Sequence, residues 1–267
     1  MFKLGITAPA GRFGVDSTVE GIERAAAVGV DGIEFFDLDS ADLTAIQAAG
    51  EEHGVDVFGS LAVGAGANIM NENEPCMVRP KYHEQAVEDI SRSIDMVAEF
   101  DGDSLVVTVG QDQRDLEEHI QQNAIIRVLR DVAPHAEERG VTVVPELLNT
   151  RVDHPGYFLT TTDQGVEVVE AVDSPNVKLL FDVYHQQITE GDVIRRFRNN
   201  VRAVGHVHIA DNPGRHEPGT GELNYERIFE AIAETDYDGY VSCELSPRGD
   251  PDEVFSDIVT MADSALS

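Results

Sequence analysis

The stretch Gly205–Tyr225, GHVHIADNPGRHEPGTGELNY, sets two histidines at alternate positions of an apolar run and follows them with a loop dense in Asp, Arg, His, Pro and Gly. Extended backbone turns successive side chains to opposite faces, so His206 and His208 share one face, Val207 and Ile209 the other. The turn-rich loop begins at the strand's carboxyl end, where α/β barrels build their active sites. Two histidines on one strand, taken alone, are more often core packing than chemistry. Their weight comes from three other runs that end in the same manner.

Those runs are VTVVPELLNT (Val141–Thr150), VKLLFDVYH (Val177–His185) and YVSCELSP (Tyr240–Pro247), each aliphatic, bounded by Gly, Pro or Asn, and carrying one carboxylate near its end. Alternation puts Val144 in phase with Glu146, Leu180 with Asp182 and Ser242 with Glu244 on the inward face. Val143, Pro145, Leu179, Phe181, Val241 and Cys243 then pack against an outer layer. A carboxylate buried at a strand end is costly unless paired or metal-bound. Glu146, Asp182, His208 and Glu244 therefore read as a set of three carboxylates and one imidazole. That set suits one divalent metal ion such as Mn²⁺, Mg²⁺ or Co²⁺ better than a structural zinc.

Working outward, further strands are expected at Lys3–Ala8, Gly32–Phe36, Val55–Val63 and Ser104–Gly110. Amphipathic periodicity predicts helices over Thr18–Val28, Ala41–His53, Tyr82–Phe100, Asp115–Arg139, Thr162–Val172, Tyr225–Thr235 and Asp252–Ala265. Eight strands alternating with helices in 267 residues fit a single (β/α)8 TIM barrel occupying residues 1–267. A doubly wound open sheet is the alternative, but no GxGxxG follows the first strand. The connection Gly64–Pro80 is long enough to be either a lid over the barrel mouth or a mobile surface loop.

Composition narrows the function. The chain carries 50 Asp+Glu against 19 Lys+Arg, a net charge of −31, and its lysines are Lys3, Lys81 and Lys178. Phosphate binding needs basic patches, so a nucleic-acid partner is not expected. No apolar run reaches the length of a membrane span, and MFKLGITAPA reads as a strand rather than a signal peptide. Cys76 and Cys243 form no disulfide framework. A cytoplasmic enzyme with a small-molecule substrate and no membrane partner is expected, and self-association into a homo-oligomer is compatible with this reading.

Four segments closely resemble the hydroxypyruvate isomerase family, part of the xylose-isomerase-like TIM-barrel sugar isomerases and epimerases. They are PELLNTRVDHPGYFL (Pro145–Leu159), FDVYHQQITEGD (Phe181–Asp192), ADNPGRHEPGTGELNY (Ala210–Tyr225) and GYVSCELSPRGD (Gly239–Asp250). The resemblance is specific from Val141 to Asp250 and weak in the N-terminal region. It implies that Glu146 and Glu244 are the paired catalytic glutamates and that Asp182 and His208 complete the metal set. It also implies that His185 contacts the substrate and that Arg215 and His216 lie in the loop reaching its far end. His at position 208 is the epimerase-like choice, where some hydroxypyruvate isomerases have Gln. The implied activity interconverts hydroxypyruvate and tartronate semialdehyde, or a similar hydroxy-keto acid, by glutamate-mediated proton transfer through an enediolate. A ketose or keto-sugar-acid 3-epimerase with the same metal site is the alternative. A DNA-repair nuclease on this barrel needs a His-rich multi-metal cluster and a basic groove. For a substrate carboxylate, Arg215 is the expected partner, and Arg151 either joins it or forms a surface ion pair.

The acidic excess is expected to reflect a high-salt setting. Screening shortens from about 10 Å near 0.1 M salt to about 3 Å near 1 M, relieving repulsion among closely spaced carboxylates. Thermal melts of metal-saturated protein should therefore rise in Tm from dilute to molar KCl, and a flat or falling Tm would contradict this origin for the charge.

Overall fold

The computed structural model describes residues 1–69 and 74–266. Along the chain run β1 (Lys3–Thr7), α1 (Pro9–Phe13), α2 (Thr18–Val28), β2 (Gly32–Phe35), α3 (Leu43–His53), β3 (Asp56–Leu61), α4 (His83–Glu99) and β4 (Ser104–Val107). The second half adds α5 (Glu118–Arg139), β5 (Thr142–Pro145), α6 (Thr162–Val172), β6 (Leu179–Asp182), α7 (Val183–Thr189) and α8 (Val193–Asn200). It finishes with β7 (Val204–Ile209), α9 (Tyr225–Ala233), β8 (Tyr240–Cys243) and α10 (Pro251–Leu266).

All paired strands are parallel, in the order β5-β4-β3-β2-β1-β8-β7-β6. The two ends of this order meet. Val143 bridges Val177 and Glu146 bridges Leu180, while Val143 N donates to Asn176 O at 2.9 Å and Lys178 N to Val143 O at 3.1 Å. The sheet is thus a nearly closed (β/α)8 barrel, and the open-sheet alternative is set aside.

The period-2 alternation read from the sequence separates the two sides of the wall. Val106, Val144 and Leu180, with Leu61 against them, form a small apolar plug inside the barrel. Val143, Leu179, Phe181, Val241 and Cys243 belong to the larger core between sheet and helices. Side-chain caps fix several helix starts: Thr161 Oγ1 accepts from Gln164 N at 3.2 Å, and Asn224 Oδ1 from Arg227 N at 3.1 Å.

Three differences from the sequence reading have local causes. The run expected to stay extended to His185 stops at Asp182, whose Oδ1 accepts the His185 N–H at 2.9 Å and so starts α7. Helix α1 is a five-residue piece, too short to show periodicity. In the Gly64–Pro80 connection, Cys76, Met77 and Val78 are buried in the core, and Asn68 Nδ2 donates to the carbonyls of Glu74 and Pro75. Those flanks pack into the core, and residues 70–73 of the lid reading lie outside the described residues.

Barrel closure brings some backbones very close. A Cβ on Gly59 would stand 2.6 Å from Ser104 O on the neighbouring strand, and backbone cannot yield as a side chain would. Gly59→Ala should therefore destabilise the fold by about 1–3 kcal/mol in urea unfolding; a loss under about 0.5 kcal/mol, typical of a surface change, would mean that the β3–β4 spacing is misjudged.

Candidate active site and metal centre

Glu146, Asp182, His208 and Glu244 leave the carboxyl ends of β5, β6, β7 and β8 and converge. Each offers one ligand atom, and these four atoms lie within 4.8 Å of one another. Backbone bonds to the adjacent strand hold the two glutamates in place: Glu146 N donates to Val107 O at 3.0 Å and Glu244 N to Ile209 O at 3.1 Å. Tyr157 adds a clamp, its hydroxyl donating to Glu146 O at 3.1 Å and accepting from Val109 N at 2.9 Å.

Three carboxylates in so small a space repel one another, and the surroundings divide them. Burial pushes Glu146 up to about 7, with repulsion from Glu244 adding to it and His208 opposing. Its Oε1 is buried with no hydrogen-bond partner. Burial also disfavours ionised Glu244, but Arg215 Nη2 at 2.6 Å and His208 Nδ1 at 3.0 Å, both on Oε2, hold it far below the usual carboxylate range. An unpartnered buried oxygen, three carboxylates and one imidazole fit a hard-to-borderline divalent cation.

Beneath this cluster lies a carboxylate that the sequence reading missed. Glu34 on β2 is fully buried, and its Oε1 meets Thr7 Oγ1 at 2.7 Å, His206 Nε2 at 3.1 Å and His208 Nε2 at 2.7 Å. Burial works against its charge, yet attraction to His208 and His206 holds it well below the ordinary range. Proton bookkeeping follows from the partners. His206 Nδ1 lies 3.2 Å from Tyr240 O, which only accepts, so that nitrogen bears hydrogen. All three contacts on Glu34 Oε1 are then attractive only if the carboxylate is ionised and both Nε2 atoms also bear hydrogen. His208 Nδ1 faces the three carboxylates and lies 3.0 Å from Glu244 Oε2, which only accepts, so this nitrogen carries hydrogen as well and the charged imidazole is favoured; a bound cation would take that proton's place. Glu34, His206 and His208 also lie close enough to be grouped as a second ligand set, but separations of 2.7 to 3.1 Å are those of shared protons.

His185 stands over the opposite side. Asn149 Oδ1 accepts from Val152 N at 2.9 Å and Asp153 N at 3.2 Å, which orients its amide so that Nδ2 donates to His185 Nδ1 at 2.6 Å. His185 therefore accepts at Nδ1 and carries its hydrogen on Nε2. Burial pushes its imidazole down to about 4, against the pull of Asp182. The Nε2–H is buried, 3.7 Å from Asp182 Oδ2, and has no hydrogen-bond acceptor. It is a neutral donor aimed at the cluster.

The loop after β7 is organised by Asp211, also missed from sequence. Its fully buried carboxylate takes four backbone N–H groups, from Asn212, Gly219, Gly221 and Leu223, at 2.8 to 3.1 Å. Arg215 reaches the cluster, bonding Glu244 and lying 3.9 Å from Asp182 Oδ2. It is committed to these carboxylates rather than left free for a substrate. His216 does not join them: its Nδ1 lies 2.7 Å from Ser246 O, tying the loop to the segment after β8. Arg151 is exposed and donates to Ile188 O at 2.8 Å.

A family model described as a xylose isomerase-like TIM barrel matches residues 22–263. The chain is 38% identical over 159 residues to a 2-oxo-tetronate isomerase of Cupriavidus necator, covering 60% of this chain and 61% of that one. It is 29% identical over 240 residues to the hydroxypyruvate isomerase of Escherichia coli, covering 88% and 90%. Among solved structures it is similar to an AP endonuclease, family 2, from Brucella melitensis, with TM-score 0.87, 26% identity and coverage of 97% and 99%. A D-psicose 3-epimerase from Clostridium cellulolyticum with D-tagatose gives TM-score 0.81 at 20% identity with full coverage of both chains, a likeness of fold. With the barrel closed, the site at its carboxyl-terminal mouth and the family match spanning nearly the whole sequence, the chain belongs to the xylose isomerase-like TIM barrel family.

Proposed function

We propose that this protein is an isomerase of a small 2-oxo acid, interconverting hydroxypyruvate and tartronate semialdehyde or a close homologue. The observation that carries this reading is the convergence of Glu146, Asp182, His208 and Glu244 opposite the unpartnered Nε2–H of His185. The names of the relatives from Cupriavidus necator and Escherichia coli support it. Glu146, Asp182, His208 and Glu244 would hold one divalent cation, which when bound polarises a carbonyl and offsets negative charge developing on it.

The chain's own groups supply the rest. One glutamate takes a proton from the hydroxymethyl carbon and the electron pair moves into an enediolate. A proton is then returned to the former carbonyl carbon, and the hydroxyl proton passes from one oxygen to the other. Atoms and charge balance with no outside reagent. Glu244, held ionised by Arg215 and His208, fits the base. Glu146, converging with Glu244 from β5, fits the second carboxyl group, the one that returns the proton. His185 donates from Nε2 to the oxygen where charge grows. Neutral imidazole suits that task, since a strong acid there would protonate the intermediate outright.

The second reading, a ketose 3-epimerase, uses the same groups and returns the proton to the opposite face of the carbon it left. Its support is the likeness of fold to the psicose epimerase. Against an endonuclease, whose fold the barrel also shares, stand the net charge of −31 and the hydrogen-bonded, proton-filled state of the second histidine–carboxylate group.

Glu146→Gln and Glu244→Gln should each lower turnover of hydroxypyruvate by at least about 10² to 10⁴-fold while leaving the thermal transition close to that of the parent. Proton NMR of the product pool decides it, and activity within a few-fold of the parent in either variant, with metal bound, would refute the proton-transfer roles. Glu34→Gln, which removes the anion that fixes His208, should weaken Mn²⁺ binding by about 10- to 100-fold. Titration calorimetry of folded variant and parent measures this directly, and unchanged affinity would show that Glu34 does not govern His208 as a ligand.

A further inference from the structure

We propose that Arg12 anchors a carboxylate carried by the substrate on the carbon next to its carbonyl, which makes this mouth a site for 2-oxo acids rather than for neutral ketoses. This rests on the isomerase reading above and names the residue that would choose its substrate. Arg12 sits on α1, directly after β1, at the same end of the barrel as the glutamates. Its Nε donates to Thr7 O at 3.1 Å, which fixes the plane of the guanidinium. Among the described residues its terminal nitrogens make no hydrogen bond. The nearest acid is Glu244, with Nη2 4.0 Å from Oε1, beyond hydrogen-bond reach, and the side chain is only 21% exposed. Glu244 spends its other oxygen on Arg215 and His208. Arg12 thus presents two donors of its planar fork, mostly shielded from water and short of an acceptor, beside the carboxylate assigned as base.

Two other arginines of the mouth loops are committed. Arg215 bonds Glu244 and lies near Asp182, and Arg151 bonds the Ile188 carbonyl. The backbone that delivers Arg12 is also held at a cost. Ala8, between β1 and α1, adopts φ 50° and ψ 59°, a left-handed conformation that a residue with a Cβ rarely adopts. Its N–H donates to Glu34 O at 2.8 Å, so the chain turns sharply across the mouth instead of running outward. Gly21 on α2 lets this turn pack tightly, since a Cβ there would stand 2.7 Å from Ala10 N and 3.0 Å from Pro9. A strained turn, a close glycine contact and an under-bonded guanidinium at its tip together describe a preorganised anion contact.

The test compares parent, Arg12→Gln and Arg12→Lys, all Mn²⁺-loaded, by calorimetric titration with pyruvate, which has the 2-oxo acid group but no hydroxyl to isomerise. The second ligand is methyl pyruvate, in which that charge is removed. The parent should prefer pyruvate, Arg12→Gln should lose about 10- to 100-fold for pyruvate with the ester changed less than threefold, and Arg12→Lys should fall between. A parent with no preference, a variant that keeps it, or equal losses for both ligands would overturn the anchor. Hydroxypyruvate turnover by the parent separates this from the activity itself. Pyruvate preference lost in Arg12→Gln without any parent turnover sinks the isomerase reading alone, whereas turnover with KM and kcat unchanged in Arg12→Gln sinks the anchor alone.

Discussion

The repulsion among Glu146, Asp182 and Glu244 is the constraint around which this barrel is built. Three carboxylates whose ligand atoms lie within 4.8 Å of one another in a largely buried site would not all stay ionised unless positive charge were brought to them. The chain supplies part of it. Arg215 crosses from the loop after β7 to Glu244, while Asp182 spends one oxygen as the cap of α7 and keeps the other for the cluster. What is left uncompensated collects on Glu146, whose buried oxygen has no partner. A cluster with unspent negative charge and one aimed imidazole nitrogen is what a divalent cation requires.

The same constraint explains why the barrel interior under the site is polar. Inside a barrel of this size inward side chains usually fill layers with branched aliphatics. One side here follows that rule through Val106, Val144 and Leu180. The other side, lined by Thr7, Glu34, His206 and Ser242, is a buried hydrogen-bonded network that fixes the ring of His208. Glu34 is held ionised there by the two imidazoles that donate to its Oε1. Such a network is worth its desolvation when it holds one atom in one orientation, here His208 Nδ1. On the facing side Asn149 does the same for His185, its amide held by the backbone of Val152 and Asp153 and by the Asp153 carboxylate.

The parts legible in the sequence were those with a period. Alternation placed Glu146, Asp182, His208 and Glu244 on inward faces because every second strand position must point inside, and their convergence follows from eight parallel strands ending at one rim. Glu34 carries the same signal, a lone acid in the apolar run GIEF, and was legible by the rule that found the other four. Arg12 was not: it sits on a helix too short for periodicity, and its position depends on the left-handed turn at Ala8. Asp211 and Asn149 look like ordinary loop residues until the backbone shows how many N–H groups they gather. Nor does the pattern reveal that His216 turns to the Ser246 carbonyl while Arg215, its neighbour, turns inward.

Anomalous diffraction from crystals soaked in Mn²⁺ tests the central claim most directly, because it locates the ion without reference to turnover. The account requires one strong peak between Glu146, Asp182, His208 and Glu244, with His208 bound through Nδ1 and Glu34 still on its Nε2. No peak there at saturating metal, or a peak seated instead among Glu34, His206 and His208, would contradict it.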